Sequence, residues 1–242
     1  MNKTLIFLLL VLLFSRNAVA QNVTDQQGAV IRTDTLQKNI YLCFTGHDFY
    51  DGFEHVLGVL NKHNIKASFF LTGDFVREHA DLVKTINKNG HFIGAHSDKH
   101  LLYCDWIKRD SLLHSADEIK ADIQHNLQAL ENLGIRPKYF MPPYEWYNKK
   151  VVDIASQLNQ VTVNFSPGTL SNADYTTPEM PNYISNSDIL KSIFNYEASF
   201  GMNGFHMLIH PGTSPLRKDK LYFHLDEIIT QLKEKGYGFK KF

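Results

Sequence analysis

Two histidines four residues apart, His96 and His100, close the segment His96-Ser97-Asp98-Lys99-His100 behind the short apolar run Phe92-Ile93-Gly94-Ala95. That spacing brings two imidazoles onto one face of a helical turn, and imidazole is the commonest protein ligand for zinc. The pair therefore points to a divalent metal. Other residues able to do chemistry follow short apolar runs in the same way: His47 and Asp48, then Tyr144, Glu145 and Trp146, then His210.

The elements that must position them alternate. Residues 40–44, 67–72, 91–96, 138–141, 161–165, 204–210 and 238–239 are short apolar runs that read as strands. Residues 51–64, 75–89, 111–133, 148–158, 189–200 and 221–235 carry apolar positions at helical spacing, as in the stripe Ile119, Ile123, Leu127 and Leu130. Gly90 and Gly134 stop two helices, and Pro142-Pro143 stops a strand. Such alternation predicts an α/β fold with a mostly parallel sheet and right-handed crossovers. In such folds active-site residues gather at the carboxyl ends of strands. His47, Asp48, His96, His100, residues 143–146 and His210 would then meet at one mouth.

Composition sets the outer limits. The basic start Met1-Asn2-Lys3, the apolar stretch over residues 5–14 and Ala18-Val19-Ala20 describe a secretory signal peptide over residues 1–20, too short for a membrane span. The expected location is secreted or periplasmic. Without that segment 23 basic residues face 25 acidic ones, a balance that recruits neither nucleic acid nor an anionic membrane. Residues 21–37 are polar and patternless, a leader lying on the surface or disordered, and residues 38–242 form one domain. Cys43, in an apolar run, reads as a buried free thiol, although an oxidising compartment permits a bridge to Cys104.

Lys62-His63-Asn64-Ile65-Lys66-Ala67-Ser68-Phe69-Phe70-Leu71-Thr72-Gly73, the His96-Ser97-Asp98-Lys99-His100 segment, Met141-Pro142-Pro143-Tyr144 and Leu208-Ile209-His210 together resemble motifs of the polysaccharide deacetylases. These are also called NodB-homology proteins or family 4 carbohydrate esterases, and the resemblance covers residues 38–242. It implies a distorted (β/α) barrel of about seven parallel strands and metal-dependent removal of N- or O-acetyl groups from a sugar. Two departures stand out. Where the family reads Thr-Phe-Asp-Asp, with the catalytic base first and a metal ligand second, this chain reads Cys43-Phe44-Thr45-Gly46-His47-Asp48. Aligned without a gap, the two acids become Thr45 and Gly46. With Thr45-Gly46 as an insertion, His47 takes the base position and the metal ligands become Asp48, His96 and His100, the preferred reading because it restores a carboxylate. The second departure is Met141 in place of an arginine that orients the base; losing both partners together is self-consistent, since an unpaired buried arginine is costly.

Zinc is the first choice of metal, with cobalt or nickel also suited to such ligands. The resemblance implies that His210 is the general acid and that the Tyr144 N–H stabilises the oxyanion; Asp174 is the candidate to orient His210. Candidates for the base are His47, Glu145 and Asp98, in that order. Tyr144, Trp146 and Tyr147 form an aromatic group fit to stack on a poly- or oligosaccharide. Residues 217–220 read as a solvated charged run, and His55, His63, His79 and His114 as surface residues. Two further readings differ in class: a catalytically weakened glycan-binding member of the same scaffold, and a glycoside hydrolase using Asp48 and Glu145 as its carboxylate pair.

Overall fold

The computed structural model describes residues 21–242; the signal-peptide reading falls on residues outside them. Seven strands run parallel: β3 (Asn39–Gly46), β4 (Ser68–Leu71), β5 (Phe92–Ala95), β6 (Tyr139–Phe140), β7 (Val161–Thr162), β8 (Phe205–Ile209) and β9 (Gly238–Lys240). At the centre β3 pairs with β8 along one edge, while β9 and then β4 share its other edge. Helices α1 (Phe53–Lys62), α2 (Gly73–Glu78), α3 (Ala80–Lys88), α4 (Ala116–Glu131), α5 (Lys149–Gln157), α6 (Asn186–Phe200) and α7 (Leu225–Glu234) make the crossovers and the outer layer. The strands are parallel, as the alternating runs predict, and the sheet curls into a distorted (β/α) barrel, as the family resemblance implies.

The period-two alternation of a strand sorts β3 into two faces. Leu42 and Phe44 pack outward into the large core with Phe53, Phe69 and Phe75, whereas Cys43 joins Phe70, Met141, Val163 and Leu208 in a smaller cluster. Tyr41, on that same second face, meets the ring of Phe242, which also packs on Phe70, Phe92 and Tyr139. Cys43 and Cys104 are both buried free thiols.

Two expectations change. Residues 21–37 are no loose leader: β1 (Val23–Thr24) and β2 (Val30–Arg32) form a hairpin, and β2 pairs antiparallel with β8. Val30 also bridges Val163 just beyond β7, so the hairpin spans the gap between β7 and β8. Its turn is organised by Asp25, whose carboxylate accepts the N–H groups of Gln27 and Ala29 and the hydroxyl of the buried Tyr147 at 2.6 Å. Tyr147→Phe should therefore cost about 1–2 kcal/mol in a urea titration, with faster amide exchange at Ala29 as the local signature. The expected single helix over residues 75–89 is two, broken at His79 (φ −120°, ψ 38°), whose ring packs on Phe75 and Tyr50.

Candidate active site

At the carboxyl ends of the strands a cavity of about 460 Å³ is lined by Thr45, His47, Asp48, His96, His100, Tyr144, Glu145 and His210, with Phe49, Trp106 and Tyr175 around them. Six of the residues singled out from sequence thus share one mouth with Glu145's neighbour Tyr144. Alternation along β3 explains the arrangement of its last residues. Thr45 and His47 face the mouth, while Gly46 faces the helices: a Cβ there would lie 2.8 Å from Leu71 and 2.9 Å from Phe53. Asp48 then sits at the rim, its side chain 68% exposed, with Oδ1 3.1 Å from His47 Nε2.

The segment from His96 to His100 is not a helical turn. Ser97 (φ 70°) and His100 (φ 54°) are left-handed, and the Ser97 hydroxyl accepts the His100 N–H. The loop is held from outside by α4, where Asn126 and Asp122, four apart, face it together. Asn126 Oδ1 accepts the His96 N–H and its Nδ2 donates to Leu71 O; Asp122 accepts the Lys99 N–H and the Tyr103 hydroxyl. Asp98 is committed as well: Arg77 grips both its oxygens at 2.8 and 3.0 Å, and it is buried. Asp98 also does not line the mouth, which corrects its place among the candidate bases.

His96 donates from Nδ1 to Met141 O at 2.7 Å, because a carbonyl can only accept. Its Nε2 therefore carries a lone pair into the cavity. Burial lowers the His96 pKa to about 3 against the opposing pull of that hydrogen bond. His100 is pushed down to about 2 by burial and by the neighbouring histidines. Both imidazoles are neutral at ordinary pH, the form that binds a metal. Their ring centroids lie 5.0 Å apart at 59°, and His47 stacks on His100 at 4.4 Å. Among the described residues, however, no group of three His, Cys, Asp or Glu is gathered closely enough to hold an ion as it stands, so Asp48 with His96 and His100 is not a ready-made set.

Opposite them, His210 directly follows β8 and is fixed at two points by Asp174, which the 3-10 turn Ser171–Tyr175 supplies. Its Nδ1 donates to Oδ1 at 2.6 Å and its backbone N–H to Oδ2 at 2.8 Å. Burial alone would depress the His210 pKa, but the Asp174 carboxylate outweighs it, Glu145 adds to the effect, and the net shift is upward. Tyr144 (φ 59°) and Glu145 (φ 52°) are consecutive left-handed residues in the turn behind Pro142-Pro143, a conformation costing about 1–3 kcal/mol per residue. Asn164 Nδ2 holds the turn by donating to Glu145 O. Glu145 is thereby turned into the mouth with its side chain 11% exposed, its carboxyl pushed up to about 7 by desolvation against the pull of His210.

The aromatic group differs from expectation. Trp106, not Trp146, lines the mouth beside Tyr144; Trp146 stands behind it, its Nε1 donating to Asp105 O and its ring under Arg109. Tyr147 is buried against Asp25 and offers no stacking face. Trp106 lies in an irregular loop without periodicity, so nothing in its local pattern marks it. Phe49 and Tyr175 were likewise detectable only by knowing which way the chain turns after each strand, whereas alignment without a gap already pointed to Thr45.

The comparisons with known proteins agree with this picture. A polysaccharide deacetylase family model matches residues 32–163. An uncharacterized Bacillus subtilis protein, YlxY, is 34% identical over 186 residues, covering 76% of this chain but 50% of that relative, so the chain spans half its length. The peptidoglycan-N-acetylmuramic acid deacetylase PdaA of the same organism is 29% identical over 222 residues, 90% of this chain and 75% of that one. The solved PdaA structure matches with a TM-score of 0.65 at 26% identity, over 89% and 83% of the two chains. A family 4 carbohydrate esterase pseudoenzyme from Bacillus anthracis matches in fold with a TM-score of 0.71 at 23% identity, over 88% and 66%.

Proposed function

Because the chain belongs to the polysaccharide deacetylase family, we propose that it hydrolyses N- or O-acetyl groups on an extracellular polysaccharide or peptidoglycan-type glycan, with a divalent metal, zinc first, at His96 and His100. The observation that carries the reading is the opposition, across one cavity, of two neutral histidines and the Asp174–His210 pair. The signal-like segment over residues 1–20 supports an address outside the cytoplasm.

A bound divalent ion supplies Lewis acidity toward the acetyl carbonyl and makes water a better nucleophile. The protein's own groups do the rest. The Tyr144 N–H, which makes no hydrogen bond among the described residues, is free to donate to the developing oxyanion. His47 is the candidate base: its Nε2 donates to Asp48, so the accepting nitrogen is Nδ1, which lies 3.4 Å from the Thr72 hydroxyl and has to exchange that contact for water. His210, held by Asp174 through Nδ1, presents Nε2 to protonate the departing nitrogen or oxygen. Trp106, Tyr144, Phe49 and Tyr175 give the sugar faces to stack on.

A second reading, glycan binding with weakened catalysis, is favoured by Met141 standing where the family carries the arginine that orients its base and, when the chain is aligned without a gap, by Thr45 in the place of the base itself. Acetate release from N-acetylated chito-oligosaccharides and from peptidoglycan, with added zinc and with a chelator, tests the first reading. The expected result is zinc-dependent release; glycan retention without acetate release at any zinc level would favour the second.

A further inference from the structure

Beside the mouth, and sharing Asp48 and Phe49 with it, lies a second cavity of about 670 Å³. Its walls are the two loops that leave the central strands, residues 47–52 after β3 and residues 210–220 after β8, with Tyr222 and Phe223 from the 3-10 turn Leu221–His224. The loops touch backbone to backbone. The Gly52 N–H donates to Pro211 O at 2.7 Å, where a Cβ would stand 2.3 Å from that oxygen, and a Cβ at Gly212 would stand 1.8 Å from Phe49 O. Side chains at either glycine would force the loops apart.

Most polar groups of this cavity are already satisfied by one another. Asp51 accepts the Tyr222 hydroxyl at 2.7 Å and the Thr213 N–H at 3.3 Å. Lys220 Nζ, 3.2 Å from Asp51, donates to Thr213 O, Thr213 Oγ1 and Ser214 O at 2.7 to 3.0 Å. Left open to a ligand are the rings of Phe49, Tyr50 and Phe223, 41%, 56% and 58% exposed, and the exposed Lys218, which has no hydrogen bond or ion pair among the described residues. Clustered apolar surface of this kind marks an interaction site. Separate aromatic faces above a fixed polar floor suit a ligand with a flat C–H face and hydroxyls around its edge, which is a pyranose ring.

The cavity also continues a line of rings through the mouth. From Trp106 the row passes to Tyr144 at 5.8 Å between centroids, to His100 at 4.4 Å and to His47 at 4.4 Å. His47 holds Asp48, which with Phe49 borders the second cavity. A ligand occupying both cavities is a chain, not a single sugar.

We propose that this second cavity is a sugar subsite, so that the substrate is a glycan chain laid from Trp106 across the mouth to Phe223. Phe49 and Phe223 stack on a unit beyond the acetylated one, and the Lys218 ammonium donates to its hydroxyls. The assignment takes from the deacetylase reading above only which unit reacts; seating the chain requires no turnover. Because the same two loops carry His47 and His210, binding energy gained in the subsite is available where the acetyl group reacts.

The test is calorimetric titration of N-acetylated chitobiose and chitohexaose into wild type, Phe223→Ala and Lys218→Met, with a chelator present to hold turnover and circular dichroism to check folding. The readout is the ratio of the two dissociation constants within each protein. Wild type should bind the hexaose tighter by about tenfold or more, the size of one added aromatic contact. Phe223→Ala should bring the ratio down to the few-fold that several binding registers alone provide, and Lys218→Met should lower it by about threefold. A wild-type ratio near one, or a Phe223→Ala ratio equal to wild type, overturns the subsite and leaves the exposed rings to a different partner. Binding of neither oligosaccharide at millimolar concentration overturns it together with the glycan reading. A length preference lost in Phe223→Ala, in a wild type that releases no acetate once zinc is restored, upholds the subsite and removes only the deacetylase reading.

Discussion

Asp174→Asn should lower kcat for acetate release by roughly 10³-fold and move the alkaline limb of the pH–rate profile to lower pH. His210 has to be protonated to serve as the acid, so activity is lost as pH rises through its pKa. In the native site that pKa is raised because the Asp174 carboxylate outweighs burial, which keeps the proton on to higher pH. An asparagine removes the charge and leaves burial unopposed, so the limb shifts toward acid. It also misorients the ring. Asp174 accepts from both the His210 backbone and Nδ1. A carboxamide offers one acceptor and one donor, and whichever contact meets the NH₂ is broken or forces the proton onto Nε2. His210→Ala should reach a similar floor without any shifted limb, since the titrating group itself is gone. An unchanged alkaline limb in Asp174→Asn would assign that limb to another group and withdraw His210 from the acid role.

The strands were legible because each is a short apolar run bounded by Gly, Pro or a polar turn, and the mouth followed from the rule that parallel strands present their carboxyl ends together. His96, His100 and His210 were therefore placed on the right rim. What failed depended on direction, not position. Whether residue 45, 46, 47 or 48 faces the cavity is decided by the alternation of β3 and the bend after it, and Gly46 turned outward leaves Asp48 at the rim. Asp98 looked available because an acid in a polar loop usually is; Arg77, from another element, claims it. The hairpin over residues 21–37 escaped notice because its strands are two and three residues long and mostly polar, and their order comes from pairing with β8 and from the Asp25 turn. The paired loss of an acid and its arginine is now spatially coherent: Thr45 lines the mouth and Met141 fills the apolar cluster with Cys43 and Val163, where a guanidinium would have no carboxylate to meet.

The charged run over residues 217–220 is the largest departure from expectation, and it leads to the second strong effect. Arg217 is fully buried. Its guanidinium donates to Thr176 O, Ile184 O, Asn186 Oδ1 and Asp219 O, at 2.7 to 3.0 Å, and lies over the Tyr183 ring. Among the described residues no carboxylate stands within salt-bridge distance, so the cation is compensated by oxygen dipoles, three of them backbone carbonyls, in a fork geometry that lysine cannot reproduce. Arg217→Met would relieve the desolvation of one charge but leave those four acceptors without donors, each worth about 1–3 kcal/mol when buried. The acceptors win by number, and a net loss of about 3 kcal/mol is expected in urea denaturation. Arg217→Lys should recover only part of it, since one ammonium cannot reach acceptors on three separate segments. The loss should also reach the chemistry. Thr176 follows the turn that carries Asp174, and Arg217 ties this stretch to the loop that continues from His210; once that tie is cut, the two ends of the Asp174–His210 pair are positioned independently. At a temperature where Arg217→Met remains folded, kcat should still fall by about tenfold with KM little changed, and a fully active folded variant would confine Arg217 to stability alone.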